Sequence, residues 1–214
     1  MSDLKDIVIL GAGGLGREIV ALVEACNAQR KEWNILGFLD PNPDLAGSEV
    51  NGYRVLGNDE WQPDDSVWFV CGIGDPRVRF RTVKKFSARG SRFASLIHPD
   101  VAIPKSVRIG AGTVVMAGTR FTVDAKIGDH VTVYVNCSIT HDVEIADFCM
   151  VAPGCNLSGG VVLEEGAQLG TGVSVLPRRR IGPWATIGAG SVVNRDIPGS
   201  STAVGVPCRP ITRS

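Results

Sequence analysis

His141, Asp142 and Gly159 carry the clearest chemistry in this sequence. Imidazole is the side chain that takes up and releases a proton near neutrality. A carboxylate beside it can orient the ring and stabilise its cation, as the third member of a triad does. A glycine leaves a backbone N–H with no side chain covering it, which suits a developing oxyanion. A base next to a bare amide donor is what acyl transfer to an amine requires, since one takes the amine proton and the other receives the negative oxygen. His141 and Gly159 are far apart in sequence, so this chemistry depends on an element that stacks one over the other.

That element is a six-residue repeat. From Ile97 to Val193 every sixth residue is apolar, through Ile109, Val115, Phe121, Ile127, Val133, Ile139, Ile145, Val151 and Leu157 and onward without an insertion. Four residues after each leading position comes a second small or branched residue, as at Val131, Cys137, Val143, Cys149 and Cys155, and Arg179 breaks this column. Glycine often follows the leading residue, at Gly110, Gly128, Gly170, Gly182 and Gly188, and glycines are expected at the strained corners. A period of six fits neither an amphipathic helix nor a heptad, and it is a signature of parallel β-helices. Three hexads close one coil, giving about five to six coils of ~18 residues. His141 stands third in its hexad, outside both inward columns, and is expected to project outward near a corner. With coils ~4.8 Å apart, Gly159 stacks directly on it. Periodicity does not give the hand of the coil, and parallel crossovers are nearly always right-handed.

The segment before the repeat reads as α/β. Asp6–Leu10 is a buried parallel strand, followed by Gly11, Gly13, Gly14 and Gly16 in a GxGxxG-like loop. A helix is expected from Arg17 to about Arg30, and a second strand over Ile35–Leu39 ends in Asp40 and Pro41. This order lets backbone N–H groups approach a phosphate at the helix N-terminus, while the acid can hold a ribose or sugar hydroxyl. Val67–Cys71 supplies another strand, then Gly72 and Gly74 open a helix carrying Arg77, Arg79, Arg81, Lys84 and Lys85, which could meet a diphosphate although most are read as a solvated face. Arg92–Leu96 is a last strand leading into the coil. Only about 95 residues precede the repeat, too few for two complete βαβαβ halves. One phosphate site plus part of a second suits a nucleoside diphosphate better than NAD, and Arg17 is the best phosphate candidate among the basic residues.

Composition excludes several classes. Lys+Arg and Asp+Glu balance at 22 each, against a nucleic-acid or membrane-surface binder. No apolar run is long enough to span a bilayer, and MSDLKDIVIL lacks the features of a signal peptide, so a cytoplasmic protein is expected. The six cysteines show no CxxC pair or framework spacing, and are read as reduced thiols acting as small hydrophobes. The histidines, His98, His130 and His141, fall at different hexad positions with no His-x4-His pair, so no metal site is expected.

Asn136-x4-His141-Asp142, the hexads, Ala152-Pro153-Gly154, Leu157-Ser158-Gly159-Gly160 and Val204-Gly205-Val206-Pro207-Cys208-Arg209 resemble the hexapeptide-repeat sugar acetyltransferases of the sialic-acid and bacillosamine type. The N-terminal Gly-Ala-Gly-Gly-x-Gly-Arg and Phe38-Leu39-Asp40 also fit. The resemblance implies a Rossmann-like domain over residues 1–95 with a mainly parallel sheet, and a left-handed parallel β-helix over residues 96–214. It implies that the first domain holds a nucleotide-diphosphate amino sugar, through Gly11, Gly13, Gly14, Gly16, Arg17, Asp40, Pro41, Gly72 and Gly74. Acetyl-CoA as co-substrate would lie on the coil, against Gly160, Pro177, Arg179, Arg180, Gly205, Pro207 and Arg209. The implied assembly is a homotrimer with CoA between neighbouring coils. The implied reaction is acetylation of the 4-amino group of a dideoxy sugar such as GDP-perosamine, for surface polysaccharide (O-antigen) synthesis. His141 is the implied base, Asp142 its assistant and the Gly159 amide the oxyanion donor. The chain departs from many relatives at Leu15 and Met150, where they carry histidine, and at Pro41, where some carry a second acid.

The competing readings are O-acetylation of a free sugar such as sialic acid, a nicotinamide-dependent sugar oxidoreductase resting on the glycine loop, and a non-catalytic scaffold. Sequence leaves guanosine and uridine nucleotides undistinguished.

Overall fold

The structure, a computed structural model, describes residues 4–62, 64 and 66–211. The chain divides into two compact units, Met1–Pro99 and Asp100–Ser214.

The first unit is built on β1 (Lys5–Leu10), whose last four residues are all buried. A strand apolar on both faces belongs in the middle of a covered parallel sheet, and β1 is central. Around it lie α1 (Gly14–Gln29), β2 (Trp33–Leu39), the short β3 (Glu49–Val50), β4 (Tyr53–Gly57), β5 (Trp68–Cys71), α2 (Pro76–Ser87) and β6 (Arg92–Phe93). The sheet order is β3-β4-β2-β1-β5-β6. Every pairing is parallel except the β3–β4 hairpin. The chain moves outward from β1 through β2 to β4, then crosses back to β5. Such a reversal opens a crevice at the carboxyl ends of the strands, where the loops after β1 and β5 lie.

Four details differ from the sequence reading. Helix α1 starts at Gly14 rather than Arg17, because Arg17 N already donates to Gly13 O at 3.1 Å. The β3–β4 hairpin went unforeseen, since β4 fully buries only Val55 and shows no apolar run. The strand expected over Arg92–Leu96 is split into β6 and β7 (Leu96–Ile97). Arg79 also departs from the solvated face expected of α2: it is 1% exposed, and its Nη1 donates to Ile73 O (2.8 Å) and Gly74 O (3.0 Å). It shapes the second glycine loop from beneath.

The second unit is a parallel β-helix. Two-residue strands pair in parallel with the strand 18 positions later, as Ser138↔Asn156 and Ile139↔Leu157 do. One face stacks the strands beginning at Arg120, Ser138, Asn156, Ser174 and Val192, and a second those beginning at Arg108, Lys126, Glu144, Val162 and Arg180. The leading residues fill the interior, with Ile139, Leu157, Leu163 and Leu169 each 0% exposed. The second inward column does more than fill space. Thr113 Oγ1 donates to Gly128 O (2.8 Å), Cys149 Sγ to Glu164 O (3.0 Å) and Cys155 Sγ to Gly170 O (3.2 Å), so small donors satisfy carbonyls that the coil buries.

The corners correct the expected role of the glycines. Left-handed backbone falls three residues after the leading position, at Gly112, Gly118, Gly154, Gly160, Gly166, Gly172 and Gly190. Non-glycine residues hold the same geometry at Asp124, His130, Asn136, Asp142, Phe148, Arg178 and Trp184. Each such residue costs about 1–2 kcal/mol relative to right-handed backbone. His130 and Phe148 offset part of this by stacking one coil apart, at 5.3 Å with their rings 12° from parallel. Gly110, Gly128, Gly170, Gly182 and Gly188 have no left-handed φ. They are small because the neighbouring coil approaches closely: a Cβ on Gly182 would lie 2.4 Å from Gly199 N.

Candidate active site

His141 and Asp142 follow the strand Ser138–Ile139 at the corner before Glu144–Ile145. Asp142 occupies the left-handed corner position, with φ 58°. Its Oδ2 lies 2.8 Å from His141 Nδ1, and both side chains are about two-thirds exposed. A carboxylate accepts only, so this bond puts the ring proton on Nδ1 and leaves the Nε2 lone pair free.

One coil later, Gly159 lies against the imidazole. A Cβ there would stand 2.3 Å from both Cε1 and Nε2 of His141, so no side chain fits without displacing the ring. Gly160 N donates to His141 O and Arg178 N to Gly159 O, both at 2.9 Å. The Gly159 N–H has no acceptor among the described residues. The ring's acceptor nitrogen and an unused amide donor thus share one corner of the coil, as the spacing anticipated.

The next coil adds Pro177 and Arg178. Arg178 is exposed and left-handed, and its Cγ would lie 3.4 Å from a Cβ on Gly160. Sequence reading passed over this cation, although counting 18 positions on from Gly160 reaches it. Beyond the corner, a groove of about 470 Å³ runs over the face carrying Lys126, Glu144, Val162 and Glu164. Lys126 Nζ bonds Glu144 at 2.8 Å, and this bond, the charge on Glu144 and, less, Asp142 hold the ammonium pKa above its ordinary value.

The other expected CoA contacts are dispersed. Arg179 Nε donates to Pro177 O at 3.2 Å, and Arg180 pairs with Glu164. Gly205 and Pro207 lie on the C-terminal segment, where Val192 N donates to Gly205 O (3.1 Å) and Cys208 N to Val192 O (2.8 Å). Arg209 Nη1 is engaged by Asn194 (3.1 Å) and Cys208 O (2.6 Å). These three residues cap the far end of the coil rather than adjoin His141.

In the first unit the glycines separate by role. Gly13 and Gly14 are exposed, with nothing within 4 Å of an added Cβ. Gly16 and Gly72 are buried against each other: a Cβ on Gly16 would stand 1.9 Å from Gly11 O, and one on Gly72 2.7 Å from Gly16 Cα. Gly11 is left-handed (φ 99°) and close to Gly72 O. Gly74 accepts from Arg79 through its carbonyl. Arg17 is exposed beside the loop, without a side-chain partner among the described residues. Asp40, expected to meet a hydroxyl, accepts from Ala12 N through Oδ2 and from Asn42 N through Oδ1, both at 2.9 Å. It ties the glycine loop to the end of β2. Pro41 lines the cleft beside it.

Among the described residues no group of three or more His, Cys, Asp or Glu side chains could hold a metal ion, and no helix is long and apolar enough to cross a membrane.

Residues 6–86 match the PglD N-terminal domain family. The chain superposes on a histidine-to-asparagine mutant of perosamine N-acetyltransferase from Caulobacter crescentus, solved with CoA and GDP-perosamine. The TM-score is 0.88 at 32% identity, covering 99% of both chains. The acetyltransferase domain of PglB from Neisseria gonorrhoeae gives a TM-score of 0.88 at 30% identity, over 97% of this chain and 100% of that one. UDP-N-acetylbacillosamine N-acetyltransferase from Bacillus subtilis is 34% identical over 127 residues, 53% of this chain and 52% of that protein. The chain spans about half the length, or less, of the first curated relatives it matches.

Proposed function

The chain belongs to the hexapeptide-repeat sugar acetyltransferases that include the perosamine and bacillosamine enzymes, and from that membership we propose that it moves acetyl from acetyl-CoA to an amine on a nucleotide-linked sugar. The observation that carries this reading is the His141 ring lying over Gly159 with Nδ1 bonded to Asp142.

In the proposed reaction the sugar amine attacks the thioester carbonyl carbon. Its proton passes to Nε2 of His141, while the carbonyl oxygen takes up negative charge facing the Gly159 N–H. Collapse of the tetrahedral intermediate expels the CoA thiolate, which takes the proton back from the imidazolium. Asp142 holds the tautomer that leaves Nε2 free and stabilises the ring once it is charged. Transfer is direct, in a ternary complex. The thiols favour this: burial pushes Cys71 and Cys137 up to about 11 and Cys155 up to about 12, and a protonated buried thiol is a poor nucleophile.

The nucleotide is assigned to the glycine loops of the first unit, where Gly13, Gly14 and Arg17 are open to a diphosphate. CoA is assigned to the coil, in a homotrimer. The complex of the perosamine enzyme with GDP-perosamine supports a 4-amino dideoxy sugar as acceptor, and the assignment to surface polysaccharide synthesis follows from the family resemblance alone. Mass spectrometry of products formed from acetyl-CoA and a panel of nucleotide amino sugars tests the reading. Acetylation of a 4-amino sugar is expected. Transfer only to hydroxyls of free sugars would replace it with O-acetylation.

A further inference from the structure

We propose that the cleft at the carboxyl ends of β1 and β2 reads the nucleobase, and that Asp59 selects guanine. This rests on the assignment of the nucleotide to the first unit and deepens it.

The cleft measures about 110 Å³, on the scale of one heterocycle rather than a whole nucleotide. Pro41, Ile73, Val78 and Phe86 give it apolar walls suited to the faces of a flat ring. Its charged lining groups are Asp40 and Asp59. Asp40 already spends both oxygens on the amides of Ala12 and Asn42, so it serves as scaffold. Asp59 does not. Lys85 engages its Oδ2, while Oδ1 has no partner among the described residues, and the side chain is 42% exposed. The topology brings it there: β4 pairs parallel to β2, Gly57 O accepts from Asp40 N at 2.9 Å, and Asp59 follows two residues later.

The chemistry of the bases then discriminates. Guanine presents its N1–H and an N2–H side by side, two donors matching the open Oδ1 of Asp59 and the second lone pair of Oδ2, beside the Lys85 ammonium. Uracil offers one N3–H between two carbonyl oxygens, which would face the carboxylate with like charge. Adenine pairs a single amino donor with an acceptor nitrogen. A site built around a polar group rejects the analogue that leaves that group unpaired.

Isothermal titration of the full chain with GDP, IDP and UDP, without acetyl-CoA, tests this. IDP retains N1–H but lacks the 2-amino group. Wild type should bind GDP about 10- to 100-fold tighter than IDP or UDP, the range for losing a hydrogen bond to a charged group. In Asp59→Asn the GDP-to-IDP ratio should fall toward one, while UDP binding should tighten, because the charge that its carbonyl oxygens face is gone. A thermal melt matching wild type shows that the variant folds, and the GDP–IDP comparison needs no variant. Equal affinity of wild type for GDP and IDP, tighter binding of UDP than of GDP by wild type, or equal weakening of all three in Asp59→Asn would each overturn the proposal. Acetyl transfer to a nucleotide amino sugar in the same preparations would leave the proposed reaction standing in any of these cases. Binding of CoA but of none of the three nucleotides would remove the base site and the nucleotide assignment together.

Discussion

His141 and Gly159 stand one coil apart, and the fit between them makes the residue-scale predictions sharp. His141→Ala or His141→Asn should lower kcat by about two to four orders of magnitude, the range for loss of a general base. KM for acetyl-CoA and nucleotide sugar should change little, and the acidic limb of the pH–rate profile should flatten. Near-wild-type turnover with an unchanged profile would reduce His141 to a solvated corner residue. Asp142→Asn should cost less, because its carboxylate orients the ring without taking the transferred proton. Gly159→Ala places a Cβ 2.3 Å from Nε2, so it should suppress turnover by displacing the ring. Circular dichroism should show the coil intact, since the imidazole is exposed and has room to swing away.

At the scale of the element, two glycines of one loop should behave oppositely. Gly14 has open space around it, so Gly14→Val should fold and weaken nucleotide-sugar binding while leaving CoA binding nearly intact. Equal loss of both affinities would show that the ligands are not divided between the units. NADH binding as tightly as the sugar nucleotide would revive the oxidoreductase reading. Gly16 has its Cβ position 1.9 Å from Gly11 O, and α1 packs on β1 there. Gly16→Ala should therefore lose stability by about 1–3 kcal/mol, as overpacking does, measured as a fall in the denaturation midpoint. The GxGxxG pattern contains both glycines and does not tell them apart. What separates them is the turn of the loop itself, which brings Gly11 O onto the Cβ position of Gly16 and leaves that of Gly14 open.

For the whole molecule, the coil exposes Val123, Val135, Leu176 and Val206, the last at 71%. Apolar surface and strand edges invite association unless closed packing covers them. Sedimentation equilibrium should give a trimer, and a monomer at micromolar concentration would overturn the shared CoA groove. The buried thiols set a second whole-chain property. Cys71, Cys137 and Cys155 have pKa values raised from 9.0 to about 11, 11 and 12, chiefly by burial. A folded pKa above the unfolded one means their contribution to stability is complete below pH 9.0. It is lost as pH rises through their folded values. Denaturant midpoints should fall as pH rises from about 9 to about 12, and iodoacetamide should label these thiols at pH 8 only after unfolding.

The sequence by itself determined the β-helix, its interior columns and the stacking of Gly159 on His141. A period of six held over sixteen hexads leaves no freedom of register, so counting positions is equivalent to measuring along the coil axis. It also disclosed the β1–loop–α1–β2 unit, because a strand buried on both faces is a continuous apolar run. Only the tertiary structure decided which glycines turn the chain and which admit a neighbour: they stand at the fourth and second hexad positions, and only backbone φ shows that the fourth is the left-handed corner. It also assigned the acids: Asp40 went to the loop amides, while Asp59, two residues after β4 and with no apolar run to announce it, came to the cleft wall. Arg79, on a helix whose basic residues are expected mostly on a solvated face, lies buried under the second glycine loop. Hydrophobic periodicity records what must leave water, and does not record which polar group will be needed to satisfy the carbonyls left inside.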